Sequence, residues 1–575
     1  MNAYDNETLP DLLNSVQVAH RKGDRETVRR LCKEAPVLTD SHQWQPACSI
    51  AHLLFDLQCA DVAERWYSAI AHFSSHAGVY AKLAEIHTLQ GVLSKAKSCF
   101  RKALRLDPDN ADYLANYGSL LLQMGRIGEG VAYAYEAQNE APMDMAVQSS
   151  YLMSLHYQPV LDVEAIAKEH LKWGTRHGRS VTPLPQRTGA VDPEKKLRVG
   201  YLSADFRMHS VAYVMEGLFR ACDRDGFEIV GYHCGQLTDH VTDYLRDLCD
   251  GFHLVAHLSD REIAHQVRAD GIDILVLVAG HSYGNRLGVS LYRPAPIQVD
   301  FGSISTLGTE HIQYRLIDAI LDPPESQAYY TETLVYLPGG YICYRPPTNA
   351  PEIAPLPARK NGYVTFGSFN GAQKINHRVI ALWAQVLTRA KDARFLLKCP
   401  GADEVSLSEF YLRQFEAHGI ARERIDIHGW KNPMAHLELY NQMDISLDTF
   451  PFNGCLTSLE GLWMGVPLIS LRGAHHVSHM GLAILNVLEM PFFAAQTADE
   501  YVTKAALLAQ DLTSLEKIRA SLRHRMAASP LMDAQRFARE VEQAYCQMWH
   551  TWVNDRASRN DSGAPAPRCM ESLHE

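Results

Sequence analysis

The sequence predicts a helical-repeat segment followed by doubly wound α/β structure. Three observations carry this α + α/β reading: a 34-residue self-similarity in the first 160 residues, and two later series in which short Val/Ile/Leu-rich runs alternate with helical stretches. The chain has 575 residues, too many for one hydrophobic core. Hydrophobic residues make up 46% and charged residues 21%, which places it with ordinary globular proteins rather than disordered ones.

The repeat is legible residue by residue. Aligning on Pro108 puts Tyr80, Leu83, Ala84, Ala96, Phe100 and Ala103 at the large, apolar and small positions of a tetratricopeptide repeat. A shift of 34 gives Leu114, Tyr117, Gly118, Gly130, Ala134, Ala137 and Pro142, and the opposite shift recovers Trp66 and Ala69. Small residues matter because two helices approach closely only where one side chain is Gly or Ala. Two clear repeats, one degraded repeat and about two earlier helices are expected over 1–172, with an irregular bundle as the competing reading. Stacked helix pairs offer a concave surface for an extended peptide or a partner protein.

From Trp173 to Lys195 apolar periodicity fades while Pro, Gly and basic residues increase, so 173–195 reads as a linker. Strand-like runs then follow at 197–203, 228–234 and 273–280, separated by helical stretches such as 260–270. A second series starts at 362–370 and continues at 393–401, 424–430, 444–450 and 466–473. Strand, helix, strand order implies parallel sheets with helices on both faces. The proline-dense stretch 323–357 reads as an interdomain crossing, which sets the lobes at 196–355 and 356–555. The end, 556–575, reads as a disordered tail.

A net charge of −11 speaks against a nucleic-acid binder that works by bulk electrostatics. Twelve cysteines are scattered without a CxxC pair, so neither a disulfide framework nor a thiolate metal site is expected. The start MNAYDNETLPDLL lacks an apolar signal core, and no apolar run approaches membrane-spanning length. A cytoplasmic protein with no membrane span is the expectation.

The runs LRVGYLSADFRMHSV, LVAGHSYGNRLG, RPAPIQV, YRLIDAILDPP, LPGGYICYRPP, TFGSFNGAQKI, MDISLDTFPFNG and LWMGVP, in this order, resemble the O-GlcNAc transferase family, most closely its SPINDLY-like branch. The resemblance covers roughly residues 76–550. It implies tetratricopeptide repeats followed by a two-lobed GT-B (double Rossmann-like) region, with 196–355 on the acceptor side and 356–555 binding the nucleotide sugar. It also implies inverting, metal-independent transfer of a sugar, GlcNAc by default, to Ser or Thr of a protein held by the repeats. No cofactor is implied; the co-substrate is a nucleotide-diphosphate sugar, UDP-GlcNAc first and GDP-fucose as the alternative. A homo-oligomer stays open.

A diphosphate leaving group needs cationic side chains and backbone amides to receive its charge. Lys374, just beyond the run 362–370, matches the family lysine that contacts the diphosphate. Asn453, Gly454, Cys455, Leu456, Thr457, Ser458 and Glu460 follow a strand and open a helix, where free amides and hydroxyls form an anion site. Glu460 matches the family's acidic position near the ribose, and His436 a histidine that packs on the nucleobase. For acid/base work His209 is the expected base or acceptor positioner, with Asp205 as orienter, since histidine titrates near physiological pH. His281 is expected to contact sugar or acceptor, as are Asp205, Ser303 and Thr306. His475, His476 and His479 only superficially suggest a metal site.

The chain departs from its relatives in two places. Cys455 and Leu456 stand where relatives carry His-Thr or Thr-Thr, and the 300–308 loop appears one residue shorter than the relatives' Gly-Tyr-Pro-Gly-Thr-type loop. These departures keep open a fucosyltransferase, a dedicated bacterial enzyme for a target such as flagellin, and a scaffold whose catalytic half has decayed.

Overall fold

A computed structural model describes residues 9–21, 24–35, 44–185, 192–278 and 280–562. Among these, ten helices come first: α1 (Leu9–Arg21), α2 (Arg25–Glu34), α3 (Trp44–Asp56), α4 (Ala60–Phe73), α5 (Ala77–Leu89), α6 (Leu93–Leu106), α7 (Ala111–Gln123), α8 (Ile127–Glu140), α9 (Met145–Leu155) and α10 (Val163–Gly178). Side-chain caps start several of them: Asp24, Asn110, Asp144 and Asp162 each accept from a backbone N–H in the first turn. The repeat signature is the buried set, with Trp66, Ala84, Ala96, Ala103 and Ala137 at 0% exposure. α7 and α8 meet at Gly118 and Gly130, where a Cβ on either would lie 2.8 Å from the other's carbonyl oxygen. The small positions are therefore a steric requirement of the pair.

The chain divides into two compact units, 1–159 with 367–432, and 160–366 with 433–575. This is not the partition expected from sequence. In the first unit the repeats pack with a segment far along the chain. The Ser94 N–H and hydroxyl donate to Glu404 at 3.0 and 3.2 Å, and Gly125 lies against Tyr411.

The second unit holds a seven-stranded sheet of order β3-β2-β1-β4-β5-β6-β7: β1 (Leu197–Ser203), β2 (Phe227–His233), β3 (Gly251–Leu254), β4 (Ile274–Val278), β5 (Ile297–Phe301), β6 (Tyr314–Ile317) and β7 (Thr333–Tyr336). Every pairing is parallel, with Val199 opposite both Ile229 and Ile274. β4 is buried along its whole length, as a sheet covered on both faces requires. Strand β7 lies inside the stretch expected to be an interdomain crossing; it is the sheet's edge, where flanking prolines are tolerated.

The later strands are β8 (Thr365–Ser368), β9 (Arg394–Lys398), β10 (Ile425–His428), β11 (Ile445–Leu447), β12 (Leu468–Leu471) and β13 (Ala494–Ala495), in the order β10-β9-β8-β11-β12-β13. β9 pairs with β10, and β12 with both β11 and β13, all parallel.

Two boundaries need correction. The linker expected from residue 173 is helical to Gly178, because Ile166, His170, Trp173 and His177 form a buried face in which histidines replace aliphatic residues. Residues 186–191 of that linker lie outside the described residues. Part of the expected tail, 556–562, is the end of the helix Ala534–Ser562; the rest lies outside the described residues. That helix also packs on the first sheet rather than serving the second: Tyr545 and Tyr201 hydroxyls are 3.2 Å apart, and Glu540 accepts from Gly339 N at 2.9 Å.

α10 docks on the turn at Gly308, whose φ is +71°. A Cβ on Gly174 would sit 1.8 Å from the Gly308 carbonyl oxygen, which backbone cannot absorb without moving. Gly174→Ala is expected to lower stability by about 2 kcal/mol or more, within the range of large packing defects. A thermal midpoint equal to that of the wild type would show that α10 shifts freely.

Candidate functional site

The second unit brings several predicted residues to one place. β1 ends at Ser203, and the turn after it leads into the next helix, α11 (Ser210–Ala221). Ser203 Oγ accepts from Asp205 N at 3.1 Å, which sets the buried Asp205 carboxylate under the turn. Asp205 reaches Arg207 at 3.2 Å and His209 Nδ1 at 3.6 Å. The same Nδ1 accepts from Val211 N at 3.3 Å, capping α11. Burial lowers the His209 pKa and Asp205 opposes it, so the imidazole is neutral at physiological pH.

The helix Leu456–Trp463 starts after a turn built by Asp448, which the sequence reading did not single out. Asp448 Oδ1 accepts from Thr449 N at 2.9 Å and Gly454 N at 2.7 Å, and Oδ2 from Ser470 Oγ at 2.6 Å. Asn453 is buried; its Nδ2 donates to Thr449 O at 2.8 Å and its Oδ1 accepts from Gly481 N at 3.3 Å. The Asn453 side chain and the Gly454 amide are thus committed to shaping the turn, not turned to a ligand as expected. Cys455 is the N-cap without a side-chain cap bond, Leu456 and Thr457 are half-buried, and Ser458 is buried. Thr457 O accepts from Tyr440 OH at 2.8 Å. Glu460 meets His436 Nε2 at 3.0 Å, and the His436 ring lies edge-on to Tyr440 at 5.3 Å.

The starts of α11 and Leu456–Trp463 share a cavity of about 220 Å3, lined among others by Val211, Tyr213, Phe301, Tyr344, Cys455 and Leu456. Asn453 and Gly302 also border it.

Other expected contacts go elsewhere. Thr306 is fully buried with its hydroxyl donated to Glu332 at 2.7 Å. Burial and then Asp300 push the Glu332 carboxyl up to about 7. Ser303 donates to Asp300, while its carbonyl accepts from Arg315 at 2.6 Å. Arg315, 1% exposed, also pairs with Asp300 and Asp322. These two residues hold the 300–308 loop and are not placed as sugar contacts. His281 is buried edge-on against Trp173 and His170, at 5.0 and 4.9 Å, rather than projecting from its strand into the cavity. The sequence reading ended the helical segment at 172, inside α10, and so could not foresee this.

The histidines of HHVSH are structural. His475 caps Val477 N, His476 Nδ1 meets Asp322 at 2.9 Å, and His479 hydrogen-bonds Leu321 O and Gly473 O at 2.8 and 2.9 Å. Burial works to raise the Asp322 carboxyl, but His476 and Arg315 outweigh it and hold it below the usual range. Among the described residues no cluster of three or more His, Cys, Asp or Glu is arranged to hold a metal. Among them too, no helix is long and apolar enough to cross a membrane.

Lys374 belongs to the first unit, where it closes the 3-10 turn Ala372–Lys374 after β8 and is half-buried. Its neighbour Gln373 hydrogen-bonds Tyr157 from the end of the repeats. Gly371, Ala372 and Gln373 border a cavity of about 910 Å3 whose other walls include Leu89 and Leu122 of the repeats and the exposed Trp430.

Stacked helix pairs followed by two parallel sheets, with a cavity beyond the carboxyl ends of strands, define the class of repeat-bearing, double Rossmann-like glycosyltransferases. The model for Glycosyl transferase family 41 matches residues 179–344 and 356–541, and tetratricopeptide repeat models match 77–110 and 99–132. The chain belongs to glycosyl transferase family 41. It is 34% identical over 434 residues to the Petunia hybrida protein named probable UDP-N-acetylglucosamine–peptide N-acetylglucosaminyltransferase SPINDLY, covering 74% of this chain and 45% of that one. The Arabidopsis thaliana SPINDLY protein is 35% identical over 422 residues, 72% of this chain and 45% of the relative. The chain thus spans about half the length of these relatives. A lysine-to-methionine mutant of the Thermobaculum terrenum O-GlcNAc transferase superposes with a TM-score of 0.86 at 32% identity, over 91% of this chain and 100% of the other.

Proposed function

We propose that the protein transfers a sugar from a nucleotide-diphosphate donor to Ser or Thr side chains of a protein, with inversion and without a required metal. The observation that carries this reading is the pairing, around one cavity of the second unit, of Ser210 and Val211, which directly follow His209 at the start of α11, with the helix start at Cys455 and Leu456. The names of the Petunia and Thermobaculum relatives support GlcNAc as the default sugar, with fucose on GDP as the alternative. The 910 Å3 cavity beside the repeats supports a polypeptide acceptor, since its walls mix exposed apolar groups with amide side chains.

In this reading His209 acts as its Nδ1–H tautomer, which gives up the bond from Val211 N, and takes the acceptor's hydroxyl proton at Nε2. In that tautomer Nδ1–H is turned toward the Asp205 carboxylate, which stabilises the imidazolium once the proton is taken. The hydroxyl oxygen attacks the anomeric carbon from the face opposite the diphosphate, and the bond from that carbon to the leaving oxygen breaks. Backbone amides at residues 455–457 receive developing charge, and Lys374 is assigned by the family resemblance to contact the diphosphate. His436 and Glu460, joined to each other at 3.0 Å, form the nucleoside end.

His209→Ala is expected to cut transfer roughly 100- to 10,000-fold, the range for a general base, while donor binding holds. Parallel loss of donor binding, followed by titration calorimetry, would remove His209 from the base role. The function as a whole is tested by incubating the purified protein with a panel of nucleotide sugars and host lysate and reading intact masses. A sugar-sized mass increase on a polypeptide is expected; no increase with any donor would leave a scaffold.

A further inference from the structure

Residues 473–481 lie between two parts of the second unit that the proposed reaction has to hold in register. On one side is the turn that follows β6. His476 Nδ1 donates to Asp322 Oδ2 at 2.9 Å, and the His479 ring bridges the two parts, with Nδ1 2.8 Å from Leu321 O and Nε2 2.9 Å from Gly473 O, just past β12. On the other side is the turn that opens the helix Leu456–Trp463. Asn453 N donates to Val477 O at 2.9 Å, and Gly481 N to Asn453 Oδ1 at 3.3 Å. The fit there is close: a Cβ on Gly481 would lie 2.0 Å from Ser470 Oγ and 2.8 Å from Asp448 Oδ2, and Asp448 is the residue that holds the Gly454 amide. The same segment borders the 220 Å3 cavity through His476, Val477 and Met480, opposite Gly302 of the first sheet and Ser210 of α11.

Both histidines are buried, so their bonds do not compete with water. The Asp322 carboxyl is held below the usual range by His476 and Arg315, so His476 donates to an ionised group, and charge-assisted bonds of this kind are among the stronger ones. Leucine would fill the same space without fixing a register, because apolar contact is non-directional. Imidazole nitrogens set on a carboxylate and on two carbonyls leave one arrangement.

We infer that His476 and His479 are positioning residues for the transfer: they clasp the turn after β6 to the turn at Asn453, and so fix the backbone amides at 455–457 relative to the start of α11, which His209 caps. Neither histidine takes part in the chemistry. The inference rests on the transferase reading and adds to it the residues that set the distance between the leaving-group amides and the base.

The test compares the full chain with His476→Leu, His479→Leu, His476→Asn and Asp322→Asn, each assayed well below its thermal midpoint. Transfer from saturating UDP-GlcNAc or GDP-fucose to the polypeptide that the wild type modifies gives kcat, and calorimetry with UDP and GDP gives nucleotide affinity. His476→Leu and His479→Leu are expected to lower kcat roughly 10- to 100-fold, the scale of a reacting group misplaced by about 1 Å, with nucleotide affinity held within about 3-fold. His476→Asn, whose amide can donate where Nδ1 does, is expected to recover most of the loss. In the double variant His476→Leu with Asp322→Asn the loss should match the larger single loss, because the two residues act through one bond. If His476→Leu does not fold, Asp322→Asn, which keeps the shape of the carboxylate, replaces it, with a fall in kcat at constant nucleotide affinity expected. Unchanged kcat, a kcat loss matched by lost nucleotide affinity, no recovery in His476→Asn, or losses that multiply in the double variant each overturn the positioning role while the wild type remains a transferase. A wild type that transfers from neither donor removes the transferase reading itself, and this inference with it.

Discussion

Lys374→Ala is expected to reduce sugar transfer roughly 100- to 1,000-fold, about 3–4 kcal/mol of transition-state stabilisation, the scale of removing one preorganised electrostatic partner of a developing anion. A diphosphate leaves with its charge growing on the bridging oxygen, and Lys374 is the ammonium group proposed, from the family resemblance, to meet it. The fold should not suffer. Lys374 closes a short turn, is half-buried, and its backbone bond to Gly371 at 2.9 Å does not depend on the side chain. Circular dichroism and the thermal midpoint should match the wild type while single-turnover transfer collapses. Turnover within a few-fold of normal would show that the leaving group is stabilised elsewhere.

Arg315→Leu is expected to destabilise the protein by about 3–5 kcal/mol, because it removes one member of a buried ion cluster and leaves its partners charged. Arg315 lies between Asp300 and Asp322, both buried, and also donates to the Ser303 and Ser305 carbonyls at 2.6 and 3.1 Å. Burial raises the Asp300 carboxyl, with Arg315 and Ser303 opposing it, so loss of the guanidinium leaves a carboxylate that favours taking up a proton. Against a total stability of about 5–15 kcal/mol the loss is large. Urea unfolding is the measurement; a change below about 1 kcal/mol would mean the carboxylates relax or bind water. The 300–308 loop is tied to that cluster, so a loosened loop should accompany the loss of stability.

The repeat and the strand series were legible because they are periodic. β1 spans the 197–203 predicted from LRVGYLS, since a buried parallel strand must be apolar without alternation. Tyr80, Ala96, Ala103 and Gly130 were found at their places because close helix packing leaves few residue choices at those points. The long motifs around His209, Lys374 and Glu460 were likewise visible, though their roles came from resemblance to a family and not from period or composition.

What stayed hidden depends on partners remote in sequence. Nothing in DTFPFNG states that Asn453 and Gly454 are occupied by Thr449, Gly481 and Asp448. Thr306 looked like a loop hydroxyl until Glu332, 26 residues on, took it. The last turns of α10 escaped because His177 counts as polar by type but is buried by position. The sequence by itself determined the order of architectures, the repeat and most strands, since those follow from local periodicity. Only the tertiary structure decided that the repeats pack with residues 367–432 and that the last helix returns to the first sheet. Such facts are set by which surfaces meet once the chain is closed, and burial and pairing exist only after that closure.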